Sequence, residues 1–89
     1  MTEASFIIKA LWKVIAKSDK SIQVKLQMHA EGVKYATRRL GRIYWRKAQA
    51  LVILAEKTDN LTLVICALHT LREAQKWLRP NEVIPPFEL

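Results

Sequence analysis

The densest chemistry in this chain lies between Lys34 and Lys47, where six basic residues (Lys34, Arg38, Arg39, Arg42, Arg46 and Lys47) stand with no acid anywhere from Val33 to Leu54. On a helix, Lys34, Arg38, Arg42 and Arg46 recur at every fourth position, Arg39 lies beside them, and Tyr35 and Trp45 share the same exposed face. Like charges at that spacing repel by about 0.2–0.5 kcal/mol per pair, so folding gains nothing from the arrangement. Four of the six are arginine, whose planar fork matches phosphate and carboxylate oxygens better than an ammonium does. With an aromatic beside it that stacks on a base or ribose, such a stripe is expected to track a phosphate backbone. The bland alternative is a solvated basic face, or an arginine row paired with the acids of a neighbouring subunit.

Other reactive side chains lead nowhere. Cys66 has no second cysteine and no Cys-His arrangement, so it reads as a small buried hydrophobe rather than a nucleophile. His69 and Glu73 stand at i and i+4, half of a metal site, but no further ligands at metal spacing join them, and structural zinc takes four. His29 falls in an apolar stripe and reads as a core or boundary histidine. The eight carboxylates are scattered, and no glycine-rich loop exists to cradle a nucleotide. No catalytic residue, metal or cofactor is expected, and the chain reads as a non-enzyme.

Two further patterns point to contacts. Lys9, Lys13 and Lys17 form a second basic row with Phe6 beside it and Trp12 at its apolar margin, which resembles an interfacial membrane helix; a domain this small needs that apolar face for its own core. Cys66 and Trp77 lie about three turns apart on one flank of the last helix, near Leu63 and Thr70, and read either as a subunit or partner contact or as a broad bundle core.

These residues must be positioned by a single small domain. The chain has 89 residues, 51% hydrophobic and 26% charged, and a net charge of +7, within the range of folded globular domains. That charge, with a pI near 9.9, directs it toward nucleic acid, anionic lipid or an acidic protein surface. One cysteine excludes an internal disulfide and suggests a reducing cytoplasm. The longest apolar run, Ala50 to Ala55, is too short to cross a bilayer.

Glycine occurs only at Gly32 and Gly41, and the prolines (Pro80, Pro85, Pro86) are confined to the end of the chain. That scarcity of breakers, with apolar residues at helical spacing, predicts an all-α fold: a small bundle of three helices with a long central one. The first helix is expected from Thr2 or Ser5 to Lys17. Ser18 to Ser21 reads as the start of the second, whose apolar stripe (Ile22, Leu26, His29, Val33, Ala36, Leu40, Tyr44, Leu51) keeps one phase as far as Lys57. A break at Gly32 or Gly41 is the alternative, and bending at Gly41 would make four helices. Asp59 or Thr58 is the expected N-cap of the last helix, Leu61 to Leu78, which carries Leu61, Val64, Ile65, Leu68 and Leu71 on one face and is stopped by Arg79-Pro80. Residues 1–79 form the bundle and 80–89 an extended tail.

A long helix that is apolar all round at Leu51, Val52, Ile53 and Leu54 would leave aliphatic side chains in water, so these residues, with Cys66 and Trp77, are expected at a homo-oligomer or partner interface. The expected function is backbone-directed nucleic-acid binding through Lys34, Tyr35, Arg38, Arg39, Arg42, Trp45 and Arg46. The competing expectation is a protein-interaction module, of adaptor, inhibitor or immunity type, docking on an acidic partner.

Overall fold

The computed structural model describes residues 3–89. It is all-helical, with three helices in the order α1 (Glu3–Ala30), α2 (Leu40–Thr58) and α3 (Leu61–Trp77), and α2 lies between the other two. The molecule measures 45 × 23 × 22 Å, its length set by α1, whose 28 residues span about 42 Å at 1.5 Å per residue.

The all-α three-helix class is as expected, but the long helix is the first and not the central one. α1 does not stop at Lys17, and its alternative start at Thr2 lies outside the described residues. Leu11, Ile15, Ser18 and Ile22 are all buried and fall at i, i+4, i+7 and i+11, so one face continues straight through the Ser18–Ser21 segment. Ser18 is the small member of that face rather than a cap, and Asp19 forms an ion pair with Lys47 of α2.

The break falls at Gly32. Gly32 has φ +86°, its N–H donates to the His29 carbonyl at 3.0 Å, and the Val33 N–H donates to the Met28 carbonyl at 3.0 Å. This is the Schellman closure of a helix, with glycine at the left-handed position. Residues 31–39 then form successive turns and bury Ala36 before α2 begins. The shared phase of the sequence across Gly32 therefore does not reflect one helix.

α2 and α3 form an antiparallel hairpin. Asp59 takes the left-handed C-cap conformation (φ 51°, ψ 45°), and Asn60, not Asp59 or Thr58, caps α3, its side-chain oxygen accepting the Thr62 N–H at 3.0 Å. Small residues make the contact. Gly41, Ala48 and Ala55 repeat every seventh position on one buried face of α2, as Ala67 and Ala74 do on α3. Thr70, also buried, satisfies its hydroxyl by donating to the Cys66 carbonyl at 2.8 Å. At the open end the approach is so close that a Cβ on Gly41 would stand 2.8 Å from the Leu78 backbone nitrogen.

This hairpin turns α3 the other way round from the simplest reading of its pattern. The narrow flank goes inward, while Leu61, Ile65 and Leu68 remain 74%, 50% and 60% exposed. The core is built from Leu11 and Ile15 of α1, Ala50, Leu51 and Leu54 of α2, and Ala67 of α3. Phe87 packs against it from the tail, which carries no helix or strand beyond Trp77. Tyr44, half-buried, has its phenol pushed above the usual value of 10.0, first by burial and then by the Glu73 carboxylate.

Candidate nucleic-acid interface

The break at Gly32 divides the basic stripe. Lys34, Tyr35 and Arg38 lie in the connecting turns, Arg39 is the residue before α2, and Arg42, Trp45, Arg46 and Lys47 are on the helix. The expected continuous helical row is therefore incorrect, because the left-handed glycine redirects the chain before Lys34. What replaces it is a concave arrangement. Arg38 and Arg39 just before α2 and Arg42 in its first turn meet Arg79, Pro80, Asn81 and Glu82, which follow α3, around a cleft of about 420 Å³. The antiparallel hairpin brings the two segments together, since the end of α3 returns to the beginning of α2.

Four guanidinium groups and one carboxylate line this cleft, leaving three positive charges in excess. Arg42 Nε donates to Glu82 Oε2 at 3.0 Å, and the Arg79 backbone N–H donates to the other carboxylate oxygen at 3.4 Å. The Glu82 side chain is 8% exposed. Arg38 is splayed over Tyr35, its guanidinium carbon 4.9 Å from the ring centroid. No side chain caps α2 and no acid stands in its first turn, so the positive end of the helix adds to the same field. Oxyanions of a phosphate or a carboxylate are what such a cleft attracts.

Farther along α2 the tail covers the basic face. Arg46 lies 5.0 Å from the centre of the Phe87 ring, and Ile84 to Phe87 close a second hollow of about 210 Å³ over Arg39, Arg42, Trp45, Arg46 and Gln49. Lys47 points away, to Asp19 of α1, and acts as a pin between helices. Arg79 is the cleft residue that the sequence did not reveal. It reads there only as the residue before a helix-stopping proline, and no local signal places it beside Arg38 and Arg42.

The expected interface residues separate. Leu51 and Leu54 are core residues, 4% and 0% exposed, and this corrects their placement at a subunit contact: they join Leu11 and Ile15 of α1 and Ala67 of α3 in one buried cluster, so two helices of the same chain cover them. Ile53 is half-buried against the same core. Val52 and Cys66 are exposed. Trp77 is half-buried and meets His29 of α1 edge to face, with ring centroids 5.9 Å apart at 82°, and its indole nitrogen has no hydrogen-bond partner among the described residues. Glu73, paired with Lys76 at 2.9 Å, is engaged away from His69. No group of three potential metal ligands gathers among the described residues, and no described helix is long and apolar enough to cross a membrane. No protein-family model, curated protein or solved structure matches the chain.

Proposed function

We propose that this is a non-enzymatic, cytoplasmic nucleic-acid-binding protein that contacts the phosphate backbone through the cleft of Arg38, Arg39, Arg42 and Arg79. The observation that carries the reading is the convergence of four arginines from two distant segments around a single carboxylate. Folding alone does not favour concentrating like charge in this way, whereas neighbouring phosphates would be held by such a set of forks. The contact is with the backbone rather than with base edges, because no Asn or Gln stands among the cleft arginines in a place to read a groove, apart from Asn81 in a turn.

Titration of random-sequence duplex and single-stranded oligonucleotides over a range of salt concentrations tests this. Three phosphate contacts per chain give a slope of log affinity against log salt of about −2.7 on duplex DNA, at roughly −0.9 per contact. Changing Arg38, Arg39 and Arg79 together to Ala flattens that slope, while changing Lys13, Lys17 and Lys20 leaves it. Equal losses in both triple variants would reduce the interaction to diffuse attraction by net charge.

A second reading rests on a different observation, the outward aliphatic row Leu61, Ile65 and Leu68 of α3. Contiguous exposed apolar surface marks interaction sites, so the chain would associate through α3 with copies of itself or with an acidic partner protein. The expectation of a homo-oligomer thereby moves from the 51–54 run to this helix.

A further inference from the structure

Trp45, Gln49 and Phe87 are walls common to two neighbouring hollows of opposite character. The first, about 370 Å³ between α2 and α3, is lined otherwise by aliphatic side chains that include Val52, Val64 and Leu68. Its size falls within the roughly 300–1,000 Å³ of small-molecule sites. The second carries Arg39, Arg42 and Arg46. Between them lies the Phe87 ring, with the Arg46 guanidinium 5.0 Å from its centre. Arg42 is neutralised by Glu82, but among the described residues Arg46 has no carboxylate partner, and its charge stands in the second hollow against the Phe87 ring that also walls the apolar one.

An uncharged apolar molecule would fill the first hollow and make no use of the arginines. A phosphate backbone would use the arginines and leave the aliphatic hollow empty, and a nucleobase placed there would lose hydrogen bonds that Gln49 could only partly replace. A single occupant satisfies both surfaces if hydrocarbon and negative charge belong to one molecule. We infer that the paired hollows bind an amphiphilic anion: an alkyl chain lies between α2 and α3 against Trp45, Val52, Val64 and Leu68, and its carboxylate or phosphate head reaches Arg46 beside Phe87. Charge complementarity in the basic hollow selects this occupant over a neutral or cationic one, because burying the chain stabilises all three alike. The site adjoins the proposed phosphate cleft, with which its basic hollow shares Arg39 and Arg42, but the residues that define it, Trp45, Arg46 and Val52, do not border that cleft, and Arg38 and Arg79 do not border either hollow.

The test is calorimetric titration of the full chain with decanoate below its micelle-forming concentration, compared with decan-1-ol and decyltrimethylammonium. One decanoate per chain is expected, with decanol bound at least about tenfold more weakly, as the loss of one charge-assisted contact implies, and no uptake of the cation. Val52→Glu puts a charge in the hollow from an exposed position, and it should abolish decanoate binding while leaving the salt slope for oligonucleotides unchanged. Arg46→Gln should weaken decanoate and not decanol, a difference that a mere disturbance of the tail would not produce. Decanol binding as tightly as decanoate, decanoate binding unaffected by Val52→Glu, or no decanoate uptake would each overturn the inference. The last result, together with doubled mass in light scattering, would assign the hollow to a second copy of the chain.

Discussion

Two glycines look alike in the sequence and have opposite tasks. Gly32 adopts a left-handed conformation in open surroundings, whereas Gly41 is a helical residue facing the backbone of Leu78. In an exposed helix, Gly to Ala gains about 1 kcal/mol of propensity; at Gly41 the new methyl would meet backbone atoms that cannot rotate away, so overpacking of about 1–3 kcal/mol prevails. Gly41→Ala is therefore expected to lower the melting temperature, and an unchanged or higher value would show that the end of α3 can move aside. Glu82 poses a related question of charge. It is the lone carboxylate among the cleft arginines, so Glu82→Gln should strengthen oligonucleotide binding at fixed salt and steepen its salt dependence. Weaker binding would mean instead that Glu82 is needed to hold Arg42 in position.

At the scale of elements, the Leu51–Leu54 run shows how one helix has different neighbours on each side. Leu54 is fully buried and Val52 is 45% exposed. Leu54→Ala should cost about 2–5 kcal/mol, as cavities in packed cores do, while Val52→Ala should stay within about 0.5 kcal/mol, as exposed substitutions do; chemical denaturation of the two variants reads the difference directly. Similar losses would place both residues at a buried surface, such as a subunit contact. The tail is an element in this sense despite lacking regular hydrogen bonds, since Phe87 packs on the core and Glu82 pairs with Arg42. Removing residues 81–89 should lower stability by about 1–3 kcal/mol, the value of one large apolar side chain, and thermal melting of the shortened chain measures it. A melting temperature left where it was would make the tail a ligand for another protein rather than a part of this one.

For the whole molecule, the outward row of α3 decides between a monomer and an assembly. Replacing Leu61 and Ile65 together by Lys changes only side chains that are at least half exposed, so folding should survive, as it generally does for substitutions of this kind. If α3 mediates self-association, light scattering at high protein concentration should show a larger species for the natural chain and a 10.3 kDa species for the double variant. The same mass for both would leave the α3 row without a role in self-assembly. An assembly would also display several arginine clefts together, raising oligonucleotide affinity by effective concentration without any new contact.

What the residues determined by themselves is the class of fold and its punctuation. The scarcity of glycine and proline, the helical spacing of apolar residues, the stop at Arg79-Pro80 and the boundary before Leu61 depend on backbone preferences that act over a few residues, and such preferences are local. The Ser18–Ser21 segment was misleading for the same reason: serine and aspartate favour caps in isolation, but a face running through Leu11, Ile15, Ser18 and Ile22 that packs on α2 outweighs that preference. The composition of the candidate cleft was legible in part, in Arg38, Arg39 and Arg42, while Trp45 and Arg46, read as part of the same face, border the neighbouring hollow under the tail. Its shape was not. Arg79, Glu82 and Phe87 reach Arg42 and Arg46 only because small residues let α3 pack closely against α2 and return its end to Gly41. Likewise α3 has two apolar flanks that could each face inward, and periodicity treats them alike; the tertiary structure chose the narrow one, because Ala67, Thr70 and Ala74 admit a close helix pair that leucines would hold apart.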